Sequence, residues 1–455
     1  MNNEVIIGVL IMKKIKLFIM LEILCIGICG CGLTNINEQN MKQETNLNDE
    51  NESVSDWSNE SNRSEISQNQ IPSVNGEFSW KWVIEPGEYQ MISFANNGMI
   101  LAVDKEGRYG AFDSEGEVVV SFCYDYISKF NYGIAEAELN GEAFYINEEG
   151  ETLWDRKFDN AYGFQEEMGA VQVENLWGFV NLNGEMTIPC QYDEVKNFSE
   201  GLAAVKKNDK WGFIDKTGEL FVDYKFDEVR NFQEGFSAVK MDGKWGFVDG
   251  EGRLAVECIY DEVKDFQEDH AAVMKDSKWG FVDNTGVVRI NLQFDDAGNF
   301  SEGKAAVKVN EYQEGLDAWA YIDESGEIVI DYDHYFGVGG LMNYVGEFHN
   351  GIAFVSKEYY SIIDENGNNV FFGNNSKFFI SSLDYNQEYD IIPAYIYADD
   401  AMKIRKYGLI NLYGEQRLEP IFDFVGNING KYVIVWDTAD DISGYYTQGV
   451  IELVQ

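Results

Sequence analysis

The sequence predicts an all-β protein made of tandem three-stranded antiparallel meanders of about 34 residues, stacked face to face in a propeller-like array. Three observations carry this. Trp177, Trp211, Trp245 and Trp279 recur every 34 residues, each followed by glycine (Gly178, Gly212, Gly246, Gly280). The chain holds 30 Phe, 26 Tyr and 10 Trp, residue types that suit a pleated surface. Each Trp-Gly pair is followed by an Asx…Gly turn, as in Asp215-Lys216-Thr217-Gly218.

Residues 1–31 read as an export signal of the lipoprotein type. Lys13, Lys14 and Lys16 precede a short apolar run from Leu17 to Ile28, then Cys29-Gly30-Cys31-Gly32. Met12 serves as a start as well as Met1. Ile28-Cys29-Gly30-Cys31 resembles a bacterial lipobox, which implies diacylation of Cys31. The lysines interrupt residues 5–30, which argues against an uncleaved transmembrane anchor. The expectation is a lipid-anchored protein on the extracytoplasmic side of the cell membrane.

Residues 32–77 are rich in Asn, Ser, Gln and Glu, as in Asn48-Asp49-Glu50-Asn51-Glu52-Ser53. Such a segment buries too little apolar surface to offset chain entropy, so it is expected to be a disordered tether. A random coil of this length spans roughly 35–40 Å.

The folded part is expected over residues 78–455. The register of Trp211 runs back to Ala143 and Tyr109 in steps of 34. It runs forward in steps of 40, 41 and 47 to Trp319, Tyr360 and Tyr407, with a degenerate copy near Gln448. Strict repeats thus cover 109–309 and irregular ones 310–455. Insertions in a repeat array collect on one face, often the binding face. About ten units of drifting length favour an open or partly closed array over a closed ring. An edge-paired β-solenoid is the alternative geometry.

Within residues 198–231, Leu202-Ala203-Ala204-Val205 and Trp211-Gly212-Phe213-Ile214 read as strands joined at Asn208-Asp209. The next copy has Asp242-Gly243 there, a type I′ hairpin signal. Glu219-Leu220-Phe221-Val222 is the third strand, and Phe226 to Phe232 the connector. Apolar residues on both faces indicate burial on both sides. Trp211 and Phe213 share a face and fill the gap between units, while Gly212 permits a close backbone approach.

Lys-Trp-Gly-Phe-Ile-Asp at 210–215, preceded by Tyr192 to Val205, resembles the WG-repeat (KWG) family of bacterial proteins. The resemblance is strong over 158–309. It implies exported repeat modules with no family-wide catalytic residues. Asp269-His270 departs from Gly201-Leu202 of the better copy, and Trp gives way to Tyr after residue 330.

A net charge of −45 argues against nucleic acid and anionic lipid surfaces as partners. Asp159, Asp193-Glu194, Asp227-Glu228, Asp261-Glu262 and Asp295-Asp296 recur in register. Stacked, they would form a carboxylate ladder able to take Ca²⁺ weakly, or a basic partner. The preferred reading is turn caps and solvated acids. His270, His334 and His349 occupy unlike repeat positions and form no ligand spacing, His270 reading as a packed strand residue. Cys123, Cys190 and Cys258 read as buried thiols.

The functional expectation is a non-catalytic surface lipoprotein, with no cofactor or metal site, presenting a β-repeat surface to a protein or glycan. The alternative is a cell-wall glycan hydrolase or lyase using Asp/Glu carboxylates on the irregular repeats.

Overall fold

Residues 194–226 show how one unit forms. Four strands hydrogen-bond in chain order: A (Glu194–Val195), B (Leu202–Lys207), C (Lys210–Asp215) and D (Leu220–Phe226). Strand A lies in the expected connector, so the meander gains a fourth, two-residue strand. It is too short to show as an apolar run. Asn208 and Asp209 join B to C with φ of 53° and 61°, as a type I′ turn requires. Asp242 and Gly243 do the same one unit on. Between C and D, Asp215 Oδ1 accepts the N–H groups of Thr217 and Glu219, each at 2.9 Å. Gly218, at φ 84°, donates to the Asp215 carbonyl.

The register between C and D shifts at Trp211/Phe213. A Cβ on Gly212 would stand 2.5 Å from the Val222 carbonyl oxygen. The close approach that glycine permits therefore comes from strand D of its own sheet. The same bulge recurs at Gly178, Gly246 and Gly280.

Both faces are buried. Trp211, Phe213, Val222 and Phe226 pack on Val229, Phe232, Val239 and Val248 of the next unit. Ala203, Val205 and Ile214 point the other way, onto Trp177 and Phe179 of the preceding unit.

The computed structural model describes residues 78–95, 98–313, 316–331, 344–356, 360–372, 378–381, 385–398, 404–437 and 447–454. The segments expected to be signal and tether, with Cys31, and His334 lie outside them. The described strands fall into ten units: 89–124, 126–158, 160–192, 194–226, 228–260, 262–294, 296–330, 344–372, 379–422 and 424–454. Unit 2 forms only three strands, with single bridges at Thr152 and Phe158 where strand D belongs.

The expectation of an open or partly closed array is corrected to a closed one. The first strand, Ser79–Phe94, is 16 residues long and serves two sheets. Residues 79–84 pair with the last strand, Thr447–Val454, as strand D of unit 10. Residues 89–94 pair with Ile100–Asp104 as strand A of unit 1. The register breaks across Ile84 and Tyr89, where Pro86 and Gly87 (φ 129°) lie.

Hydrophobic packing tells the same story. Each pair of successive units shares a cluster, and a tenth cluster joins Ile434, Val450 and Ile84 of unit 10 to Ile92, Ile100 and Phe112 of unit 1. Ten units with ten shared cores form a closed ring, whereas an open row has nine. Apart from the sheet that closes the ring, units meet through their faces, as in propellers and not as in an edge-paired solenoid.

Candidate binding surface

The motif residues hold the scaffold together. Trp177, Trp211 and Trp279 are buried; Trp245 and Trp319 are half-buried and pack on the same inter-unit cores. Lysine precedes Trp211, Trp245 and Trp279, and each reaches the acid that directly follows strand D of its unit. Lys210 meets Asp227 at 2.5 Å, Lys244 meets Asp261, and Lys278 meets Asp295 at 2.7 Å. These hydrogen bonds from Lys210 and Lys244 hold the Asp227 and Asp261 carboxyls below their ordinary range.

The acids at this register also cap hairpins, Asp227 and Asp261 through the oxygen that does not meet lysine. Asp159, Asp193, Asp227 and Asp261 accept the N–H of Glu174, Asn208, Asp242 and Asp276 at 2.6–3.0 Å. Glu194 and Glu228 pair with Lys206 and Lys240 at 2.6 and 2.7 Å. The ladder of acids is thus a ladder of turn caps and ion pairs. Among the described residues, no group of three or more His, Cys, Asp or Glu is arranged to hold a metal ion.

One cross-strand row, next to the B–C hairpins, changes chemistry around the ring. In unit 4 it reads Glu194, Lys206, Trp211, Phe226; in unit 5 Glu228, Lys240, Trp245, Tyr260. Here Lys206 lies 5.8 Å from the Trp211 ring centre and Lys240 5.2 Å from that of Trp245. In unit 9 the row is Phe379, Tyr395, Tyr407, and in unit 10 Phe424, Trp436, Gln448. Their rings form a chain. Phe379 stacks on Tyr395 at 5.3 Å; Tyr395 meets Tyr407 at 5.4 Å, Tyr407 meets Phe424 at 5.1 Å, and Phe424 meets Trp436 at 4.9 Å. Arg405 lies 4.7 Å from the Tyr395 ring centre. The B–C connections of these two units are the longest. They are residues 398–404 and 438–446, against two residues in unit 4.

At the other end of the strands, a second ladder escaped the sequence reading. Glu166, Glu200, Glu268 and Glu302 adopt φ of 49–53° at the A–B turns. Each carboxylate reaches one unit onward to a backbone N–H: Gly201, Gly235, Gly303 and Gly351, at 2.8–2.9 Å. The pairs Glu200-Gly201, Glu234-Gly235 and Glu302-Gly303 were the available signal. Between these turns lies a cleft of about 500 Å³ lined by Lys196, Glu200, Arg230, Phe232 and Asp265. Arg230 meets Asp265 at 3.0 Å, Lys196 lies over the Trp211 ring, and Glu200 accepts the Gly235 N–H.

His270 packs on Phe300 with ring centres 4.7 Å apart, and its Nδ1 lies 2.7 Å from the Glu268 carbonyl. His349 is exposed. The buried-thiol reading is corrected for Cys123, which is exposed because it points outward from strand D; Cys190 and Cys258 are half-buried. Burial pushes both of these thiols up.

The topology and packing define the class: a repeat-built all-β protein closed by its first strand. Residues 109–142, 144–177, 177–211, 211–245, 245–279, 279–312 and 407–435 match the family described as WG containing repeat. The chain belongs to that family. No curated protein matches it. Among solved structures, a eukaryotic initiation factor aligns with 9% identity and a TM-score of 0.43, covering 78% of this chain and 93% of that one. The WD40 β-propeller domain of Doa1 aligns with 10% identity and a TM-score of 0.24, covering 50% and 93%. The extracellular domain of a one-component system from B. thetaiotaomicron aligns with 11% identity and a TM-score of 0.27, covering 84% and 58%. Superposition at these levels is poor, so the fold argument rests on sheet pairing and packing.

Proposed function

We propose that this protein is a non-catalytic, lipid-anchored recognition scaffold of the cell envelope, and that its B–C hairpin end in units 9 and 10 binds a glycan. One observation carries the reading. Core rows keep their residue types from unit to unit, whereas the row beside the hairpins turns from acid–lysine pairs to a chain of rings in the two units with the longest B–C connections. A constant interior with one diverging row supports recognition. Half-buried aromatic rings offer flat apolar faces that suit the apolar faces of sugars.

The anchor rests on residues 13–31, and Cys31→Ala is expected to release the protein from membranes. Binding is tested by calorimetry with soluble envelope polysaccharides and peptidoglycan fragments. Tyr395→Ala and Trp436→Ala are expected to abolish binding while Trp211→Phe retains it. Release of reducing ends from these glycans would replace the scaffold reading with the hydrolase one. Binding unaffected by either aromatic change would move the surface elsewhere.

A further inference from the structure

Position 136 breaks the repeat. In strand B of units 3 to 7 the same register holds Ala170, Ala204, Ala238, Ala272 and Ala306, each facing the next unit. Unit 2 holds Glu136 there, only 6% exposed. The backbone N–H of Glu136 donates to Ser128 Oγ at 2.9 Å. Among the described residues, no hydrogen-bond donor or cation meets its carboxylate.

The neighbouring strand of the same unit explains why this is unusual. Beside that alanine, on the same face, units 4, 5 and 6 carry a cation at one register: Lys196, Arg230 and Lys264, whose backbone N–H groups donate to the Ala204, Ala238 and Ala272 carbonyls. Each cation lies over the tryptophan of its own unit, at 5.7, 5.1 and 5.8 Å from the ring centre. Unit 2, which carries Glu136, has Ser128 at that register: its N–H donates to the Glu136 carbonyl at 2.9 Å and its hydroxyl faces Gly163 of unit 3. The interface that gains a buried acid is thus one that lacks the built-in cation. Tyr145 is fully buried beside it and spends its hydroxyl on the Tyr162 carbonyl at 2.8 Å, so it cannot neutralise the acid. Tyr162 is 39% exposed, which leaves the site a route to solvent.

We propose that the Glu136 carboxylate and the tyrosine rings around it form a site for an organic ammonium group, supplied from outside the chain in the place that Lys196, Arg230 and Lys264 fill in later units. Carboxylate and ring faces together favour a cation with an apolar surround over a hydrated metal ion. The ammonium group belongs either to a free small amine or to a lysine side chain of a partner. This site is separate from the aromatic row of units 9 and 10.

The groups facing Glu136 are Tyr126, Glu138, Tyr145 and Tyr162, with Glu194 beyond Tyr162. None is a cation. Burial, then the charge of Glu138, pushes the Glu136 carboxyl up to about 8. An ammonium ligand selects the ionised form, so its affinity rises with pH by roughly 30-fold between about pH 6.5 and about pH 9.5.

Calorimetry on the full chain uses methylammonium, Nα-acetyl-lysine methylamide and potassium chloride as probes. Binding of both ammonium probes, or of the lysine derivative alone, supports the site; the second outcome assigns it to a partner's lysine. Glu136→Ala restores the residue of five other units and is expected to weaken binding at least tenfold, as is Glu136→Gln. Ser128→Lys installs the missing cation and is expected to block the probes. The proposal is overturned if neither ammonium probe binds the folded protein at high pH, if potassium binds as well as methylammonium, or if Glu136→Ala binds like the wild type.

Discussion

Trp82, in the first described strand, lies directly opposite Ile451 in the last, 369 residues later in the chain. This pairing turns a row of ten units into a ring. Lys81 adds an ion pair to Glu452 at 2.6 Å, and Ser79 Oγ donates to the Val454 carbonyl at 3.1 Å. Closure leaves neither end unit with a bare apolar face.

Ile84 is the core residue of this seam, buried against Ile434 and Val450 on one side and unit 1 on the other. Ile84→Ala is expected to cost about 2–4 kcal/mol, read as a lower urea midpoint at unchanged slope. A loss confined to fractions of a kcal/mol would mean that the seam does not hold the fold.

Two glycines separate two kinds of backbone demand. Gly212 has ordinary φ but no room, and Gly212→Ala is expected to cost about 3 kcal/mol by forcing strand D away. Gly201 has room but a φ of 81°, and Gly201→Ala is expected to cost about 1 kcal/mol. Thermal midpoints of the two variants should fall in that order.

The turn and hairpin acids make the fold acid-sensitive. The hydroxyl of Thr217 and backbone N–H groups hold Asp215 low; Lys210 does so for Asp227, and Lys244 for Asp261. Their folded values lie below the unfolded ones, so below about pH 4 the unfolded chain binds more protons. Their contribution is complete above that pH and is lost as pH falls through the folded values. Urea midpoints should be flat from neutral pH to about pH 5 with respect to these groups and drop below about pH 4. Asp215→Asn should shrink the drop.

Glu136 acts with the opposite sign. Its folded value, about 8, lies above the unfolded one, so the folded protein holds the extra proton and loses stability as pH rises toward that value. Glu136→Ala should be close to neutral near pH 4 and stabilise by a few kcal/mol above about pH 9. The difference between variant and wild type across this range is the measurement. A pH-independent difference would place the carboxylate in solvent.

Much of the fold was legible because the repeat reports it directly. The 34-residue period, the shared face of Trp211 and Phe213, the Asp242-Gly243 hairpin and the Asp215 turn all follow from local chemistry. What stayed hidden depends on distant partners. Glu194-Val195 becomes a strand only because Lys206 and Val205 lie beside it. The reach of Glu200 to Gly235 needs the spacing of two units. Closure needs a strand long enough for two sheets, and nothing within residues 79–94 names Thr447–Val454 as its partner. Glu136 was visible as an acid among alanines, but its burial was not, since that depends on Tyr145 and Tyr162.

Ring closure is the central claim, because it makes ten rows one continuous surface. It is tested most directly by placing Lys81→Cys and Glu452→Cys, register partners across the seam, in residues 78–455 with Cys123, Cys190 and Cys258 changed to serine. Dilute protein is oxidised and its peptides are examined by mass spectrometry. A ring predicts a near-quantitative cross-link between positions 81 and 452 within one chain. Free thiols, or cross-links only between chains, would contradict it.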